Sequence, residues 1–310
     1  MIRGLGTLVL CLSIAAPCIG DDELPDVPQG AQAVSLMGYP LFAAEPGEDA
    51  VERLAAARAD YERDPDNAEN IIWYGRRAAY AGDYRHAIGI FTEGIRKFPA
   101  DPRMYRHRGH RYITIREFDR AVADLETAAK LIAGTENEIE PDGLPNALNI
   151  PISTLHGNIW YHLGLAYYLK HDWANAYRAY KAGFDAGRND DNRVSTAHWL
   201  YMILRRKGDT DAAAGVLDAI SGDMRVIENT SYYKLCLFYK GELTQADLLV
   251  ENDGSSAGDA IIYGIANWHF YNGDLQQARK MMQELLSTAN WASFGFIAAE
   301  ADIAELSKGI

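Results

Sequence analysis

The alternation of apolar and polar positions divides the chain into unlike stretches. Leu5 to Ala16 form a short continuous apolar run, and residues 21–46 are rich in proline and acid around one apolar run from Val34 to Phe42. Residues 50–63 carry the apolar spacing of a helix, and so do residues 291–306, through Trp291, Phe294, Ile297 and Ile303. Between them a polar turn recurs. An acid stands four positions before an alanine at Asp83 and Ala87, Glu117 and Ala121, Asp172 and Ala176, Asp209 and Ala213, Glu242 and Ala246, and Asp274 and Ala278. In four of these the acid follows a glycine, at Gly82, Gly208, Gly241 and Gly273. A glycine that can turn left-handed ends one helix, and an acid that accepts free N–H groups begins the next.

A recurring unit of this kind is the mark of a repeat architecture. The residues between the turns resemble the tetratricopeptide repeat (TPR), whose unit is 34 residues and two antiparallel helices. Trp160, Leu163, Gly164, Tyr167, Ala176, Tyr180 and Gly183 match the family's large and small positions best. Gly75, Ala87, Phe91, Gly94 and Pro99 supply another copy, and Tyr105, Gly109, Tyr112, Ala121, Leu125 and Ala128 a third. Later copies keep Ala213, Ala246 and Ala278 but little else. The resemblance implies an all-α, right-handed superhelical solenoid of about six antiparallel helix pairs over residues 47–306. The repeats are expected near 68–101, 102–135, 157–190, 194–226, 227–258 and 259–290. Capping helices are expected at both ends, the C-terminal one at 291–306. Small residues let backbones approach, and large apolar ones fill the remaining space. Residues 136–156 fall outside the repeat as an insertion, long for a loop without a function or packing of its own.

In such repeats the first helix of each pair lines a concave groove. The positions that would face it hold Arg76, Tyr80, Arg103, Arg106, His107, His110, Asn158, Tyr161, His162, His198, Trp199 and Arg205. Arg106 to Arg111 is the densest part, with five basic or imidazole side chains around Gly109. The formal net charge is −13, so this is a segregated basic and aromatic surface on an acidic protein. That charge opposes binding to nucleic acid at long range. The expected partner is a protein or peptide, acidic or carboxylate-bearing, held by arginine forks and aromatic anchors. The acidic insertion, with Glu138, Glu140, Asp142 and Asn146, could fold over the same face as a lid. The family's lysine-and-asparagine clamp for a peptide C-terminus is not carried over, since Ile72 and Arg76 stand at those positions.

Other chemistry has thinner support. His107 and His110 could join His162 or His198 around zinc, but the arginines among them disfavour a cation. Ser153, Thr154 and His156 are sequence neighbours, which says little about a catalytic arrangement. There is no phosphate-binding or dinucleotide glycine motif. The expectation is therefore a non-catalytic binding scaffold without metal or cofactor. The alternatives are a structural part of a cell-envelope complex and a hydrolase of an anionic substrate. Residues 1–20 read as a cleavable export signal, with Arg3 preceding the apolar run and cleavage expected after Gly20, which implies a periplasmic or secreted protein. Lipid attachment at Cys18 is the rival, with Pro17 a poor fit to it. Once the signal is removed Cys236 stands alone, too few for a disulfide.

Overall fold

The computed structural model describes residues 23–250 and 255–308; residues 1–20, where an export signal is expected, and Cys18 lie outside them. An opening helix, α1 (Glu48–Arg63), precedes six pairs. These are α2 (Ala68–Tyr80) with α3 (Tyr84–Lys97), α4 (Pro102–Thr114) with α5 (Phe118–Leu131), and α6 (Leu155–Leu169) with α7 (Trp173–Ala186). Then follow α8 (Asp190–Arg206) with α9 (Thr210–Leu217), α10 (Thr230–Lys240) with α11 (Gln245–Leu249), and α12 (Ser256–Tyr271) with α13 (Leu275–Leu286). A last helix, α14 (Phe294–Lys308), ends the described chain. Two short strands, β1 (Ala33–Val34) and β2 (Pro40–Leu41), pair antiparallel ahead of α1. None of the described helices is long and apolar enough to cross a membrane.

The turns form as their sequence requires. Gly82, Gly208, Gly241 and Gly273 all have φ between 79° and 92°. Asp83, Asp172, Asp209 and Asp274 each accept a backbone N–H three residues on, at His86, Asn175, Ala212 and Gln277. The small residues explain the pairing of helices. A Cβ at residue 164 would lie 2.6 Å from Tyr180 Cδ2, one at 109 would lie 2.7 Å from Leu125 Cγ, and one at 75 would lie 2.5 Å from Phe91 Cζ. Tyr180, Leu125 and Phe91 are almost wholly buried, so none can yield. The first helices α2, α4, α6, α8, α10 and α12 contact one another in succession and form the inner face. Cys236 is buried beside the Val194 carbonyl, and burial pushes its thiol up, as for a small core hydrophobe.

Where the sequence implies only a closing cap, α14 does more. It packs on α12 and α13 and also reaches α6 across the inner face. Two carboxylates on it, Glu300 and Asp302, are 0% and 2% exposed. Glu300 takes the Arg116 guanidinium at 2.6 Å, and Asp302 pairs with Arg206 and with His171. Tyr263 also donates to Asp302, and Tyr168 and Asn267 complete the buried network. Arg116 and His171 are the two turn residues that replace the usual glycine, and both keep the left-handed conformation, with φ of 69° and 56°. An L side chain there costs of order 1 kcal/mol. Both side chains end on α14. The N-terminal hairpin joins the same contact: the Leu36 N–H donates to Glu300, and the Trp291 indole donates to the Phe42 carbonyl.

Gly164→Val should cost roughly 1–3 kcal/mol by overpacking against Tyr180. Gly89→Ala, on a solvent-facing position of α3 with open space beyond, should stabilise by about 0.5–1 kcal/mol. Urea denaturation of both variants checks this contrast of sign. Arg116→Gly relieves the strained turn but strands the buried Glu300 carboxylate. The net loss should be roughly 2–4 kcal/mol, since breaking a buried pair costs about 3–5. An R116G chain at least as stable as the parent would contradict the clamp.

Candidate binding face and its internal occupant

The network around Asp302 uses the inner face of the later pairs, and the earlier pairs present theirs to the insertion. The insertion leaves α5 and returns to α6 through a hydrogen-bonded neck. The Leu155 N–H donates to the Glu138 carbonyl at 3.0 Å and the Glu140 N–H to the Ser153 carbonyl at 2.9 Å. From this neck the Glu140 carboxylate enters the inner face. Its Oε2 accepts from Asn158 Nδ2 at 2.6 Å and lies 3.3 Å from Arg106 Nη2, and its Oε1 lies 3.1 Å from His107 Nε2. The chain then crosses α2, where Arg76 donates to the Pro141 carbonyl and Arg77 to the Gly143 carbonyl, at 2.8 and 2.9 Å. The insertion thus lies on the inner face as an extended segment, read by side chains through its backbone and one carboxylate.

Three cavities border it. One of about 90 Å³ lies between α2 and α4, lined by Arg76, Tyr80, Arg106, His107, His110 and Arg111. Another of about 140 Å³ lies under Pro141 and Asp142, among Arg76, Arg106 and Asn158. The third, of about 250 Å³, is polar and aromatic, with Asn158, Tyr161, His162, Asn192, Thr196, Tyr232 and Phe294 in its wall. Phe294, from the start of α14, packs against the His110 and His162 rings and closes one side.

The electrostatics follow from burial. Burial pushes His107 down to about 3, with Arg106 acting the same way, and holds His162 well below its ordinary range. Burial opposes the charge on Glu140, yet Arg106, His107 and Asn158 keep its carboxyl well below the usual range. Arg111 is pushed down to about 10, first by burial and then by Arg106 and Arg76, while Tyr84 and Tyr80 pull the other way.

The structure brings together Arg76, Tyr80, Arg106, His107, His110, Asn158, Tyr161 and His162. It places the other expected groove residues elsewhere. His198 and Trp199 are each 1% exposed, because α8 is covered by α10 and α12 as well as α6. His198 stacks between Tyr232 and Tyr239, and burial pushes it down to about 3. Trp199 stacks on Tyr180 and donates to Tyr161. Arg205 lies over the Tyr271 ring and donates to Asn272, and Arg103 pairs with Asp101 and Glu69. In the insertion, Glu140 alone of the expected acids enters the basic cluster. Glu138 is exposed, Asp142 accepts the Leu144 N–H, and Asn146 bonds within the loop and to Glu228. Thr154 caps α6 and His156 pairs with Thr135, so these two have structural partners.

Sequence reasoning missed the α14 carboxylates and their partners. The signal was present: Arg116 and His171 stand where the other turns have glycine, and Glu300 and Asp302 interrupt an otherwise apolar run from Phe294 to Ala304.

No protein-family model matches the chain. Among solved structures it is similar to YrrB, described as a TPR protein with an unusual peptide-binding site. The two are 13% identical over 83% of this chain and 100% of that one, with a TM-score of 0.44. It is also similar to a tetratricopeptide repeat protein from Parabacteroides merdae, 13% identical over 82% and 93% of the two chains, with a TM-score of 0.46.

The buried imidazoles make stability depend on pH. His107, His162 and His198 are neutral in the fold and protonate in the unfolded chain below about 6.5. Their contribution is complete above that pH and is lost as pH falls toward the folded values. Unfolding free energy should therefore drop between pH 6 and 4, by up to about 1.4 kcal/mol per pH unit for each imidazole. Guanidinium titrations across this range should show the slope, and a flat profile would contradict it. In its helix pairs, its left-handed turns and the small residues beneath its aromatics, the chain is a TPR-like, all-α helical repeat.

Proposed function

We propose that the chain is an exported, non-catalytic binding scaffold whose partner is an extended protein or peptide segment bearing a carboxylate. The inner face of α2, α4 and α6 is the recognition surface, and the insertion is its lid. The observation that carries this reading is the seating of Glu140. A carboxylate on an extended strand sits among Arg106, His107 and Asn158, while Arg76 and Arg77 hold the following backbone carbonyls. These contacts need no feature peculiar to the insertion except an acid followed by free carbonyls. An incoming acidic segment can satisfy the same donors once the insertion swings away on its neck. Charge-assisted hydrogen bonds of this kind contribute about 1.5–3 kcal/mol each where water is excluded.

The neck makes the test practicable. Because Glu138 and Leu155 are joined by a hydrogen bond, residues 140–153 can be replaced by a short glycine turn without moving α5 or α6. A labelled synthetic peptide of residues 136–152 should bind the shortened chain and not the full one, read by fluorescence anisotropy. Glu140→Gln in the peptide, or Arg106→Gln in the chain, should weaken binding at least tenfold. Equal binding by both chains, or no effect of either substitution, would overturn the assignment.

A further inference from the structure

We propose that the 90 Å³ cavity between α2 and α4 is a separate site for a small, doubly charged oxyanion of the phosphate class. It goes beyond the lid reading: it shares that face and two of its arginines, but does not require the partner to be a peptide. The argument begins with charge. Arg76, Arg106 and Arg111 all line this one cavity, and the carboxylate that reaches the cluster is Glu140. Arg111 makes no salt bridge among the described residues; its guanidinium lies 5.7 Å from the centre of the Tyr84 ring. The His107, His110 and His162 rings nearby are held neutral by burial, so they add no charge and no counter-charge. Three guanidinium groups against one carboxylate leave an excess of two positive charges around one small cavity. Uncompensated charge of that size is costly away from water and calls for an anion.

Hydrogen bonding points the same way. Six buried side-chain polar atoms among the described residues lack a hydrogen-bond partner, and two of them are the donors Arg76 Nε and Arg106 Nε. Two orphaned guanidinium donors on adjacent helices, both lining the same void, are what a bound oxyanion would satisfy. Arg76 is itself only 8% exposed and Arg106 has a side chain 11% exposed, so bulk water does not readily serve them. The space fits the charge. A cavity of 90 Å³ has room for several water-sized groups, at about 10–15 Å³ each, which suits a five-atom phosphate and excludes a nucleotide. Tyr80, 37% exposed, stands at its rim and gives a small ion a way in.

The full chain, with its insertion, is titrated calorimetrically with inorganic phosphate, with sulfate and with acetate at matched ionic strength. Phosphate and sulfate should bind at one equivalent, and acetate at least tenfold more weakly. Arg111→Gln is the diagnostic variant because Arg111 makes no salt bridge among the described residues, its contact with the Tyr84 ring being a distant one. Without anion, R111Q should melt no lower than the parent, since it removes an uncompensated charge. With phosphate, its gain in melting temperature should be lost, whereas Arg103→Gln, outside the cavity, should keep it. No saturable phosphate binding, acetate binding as tight as phosphate, or an undiminished phosphate response in R111Q would each overturn the site. The peptide experiment stands apart: failure of phosphate to bind leaves the lid reading intact, and failure of the peptide leaves this site intact.

Discussion

Two carboxylates on the last helix organise this molecule. Glu300 and Asp302 are removed from water almost completely, and a carboxylate in that position is tolerated only with close cationic partners. The cationic partners lie at the ends of α4 and α8, at Arg116 and Arg206, and the His171 ring at the end of α6 adds a hydrogen bond to Asp302. Helix α14 can therefore sit in one place, against the inner face and not simply on the end of the stack. The N-terminal hairpin is fixed by the same contact, through Leu36, Phe42 and Trp291. Two of the turns accept a left-handed residue other than glycine to make this arrangement. That is local strain held in place by the surrounding ion pairs, and it marks the clamp.

The clamp decides how much of the inner face is left for the insertion. The inner face of α6, α8 and α12 is used by Tyr168, Arg206, Tyr263 and Asn267 to surround Asp302. What is left lies on α2, α4 and the start of α6, where the insertion rests. Its attachment is of a different kind. Asp302 sits within a buried network of five side chains, whereas the insertion is held by backbone carbonyls, one carboxylate and a two-bond neck. Leu144, Leu148 and Ile150 of the insertion remain exposed, so little apolar burial secures it. The two internal occupants of one face thus differ in how easily each could leave.

Much of this was legible in the sequence, and the limit has a physical cause. Turns and close helix contacts depend on residues near one another in the chain. The glycine-acid turns could therefore be read from their recurrence, and the Gly164–Tyr180 contact was implied by the resemblance to the tetratricopeptide repeat. The position of α14 depends on pairs separated by more than a hundred residues, Arg116 with Glu300 and His171 with Asp302, and periodicity carries no such information. The same holds within the groove. His198 and Trp199 occupy inner-face positions of their repeat, but whether such a position meets solvent depends on how tightly the neighbouring pairs curl over it. Here they curl enough to place both residues in the core. Glu140 was legible as one of several acids, and only the neck geometry selects it from Glu138 and Asp142.

The central claim is that one occupant of the inner face is permanent and the other exchangeable. Hydrogen–deuterium exchange followed by mass spectrometry measures this directly in the unaltered chain. Amides of α14 from Ile297 to Ile303 should exchange only through global unfolding. Those of the insertion and its neck, including Glu140 and Leu155, should exchange far faster, through a local opening that leaves α5 and α6 protected. Insertion amides as slow as those of α14 would mean that the lid is a fixed part of the core, and the account of this face as a binding surface would be contradicted.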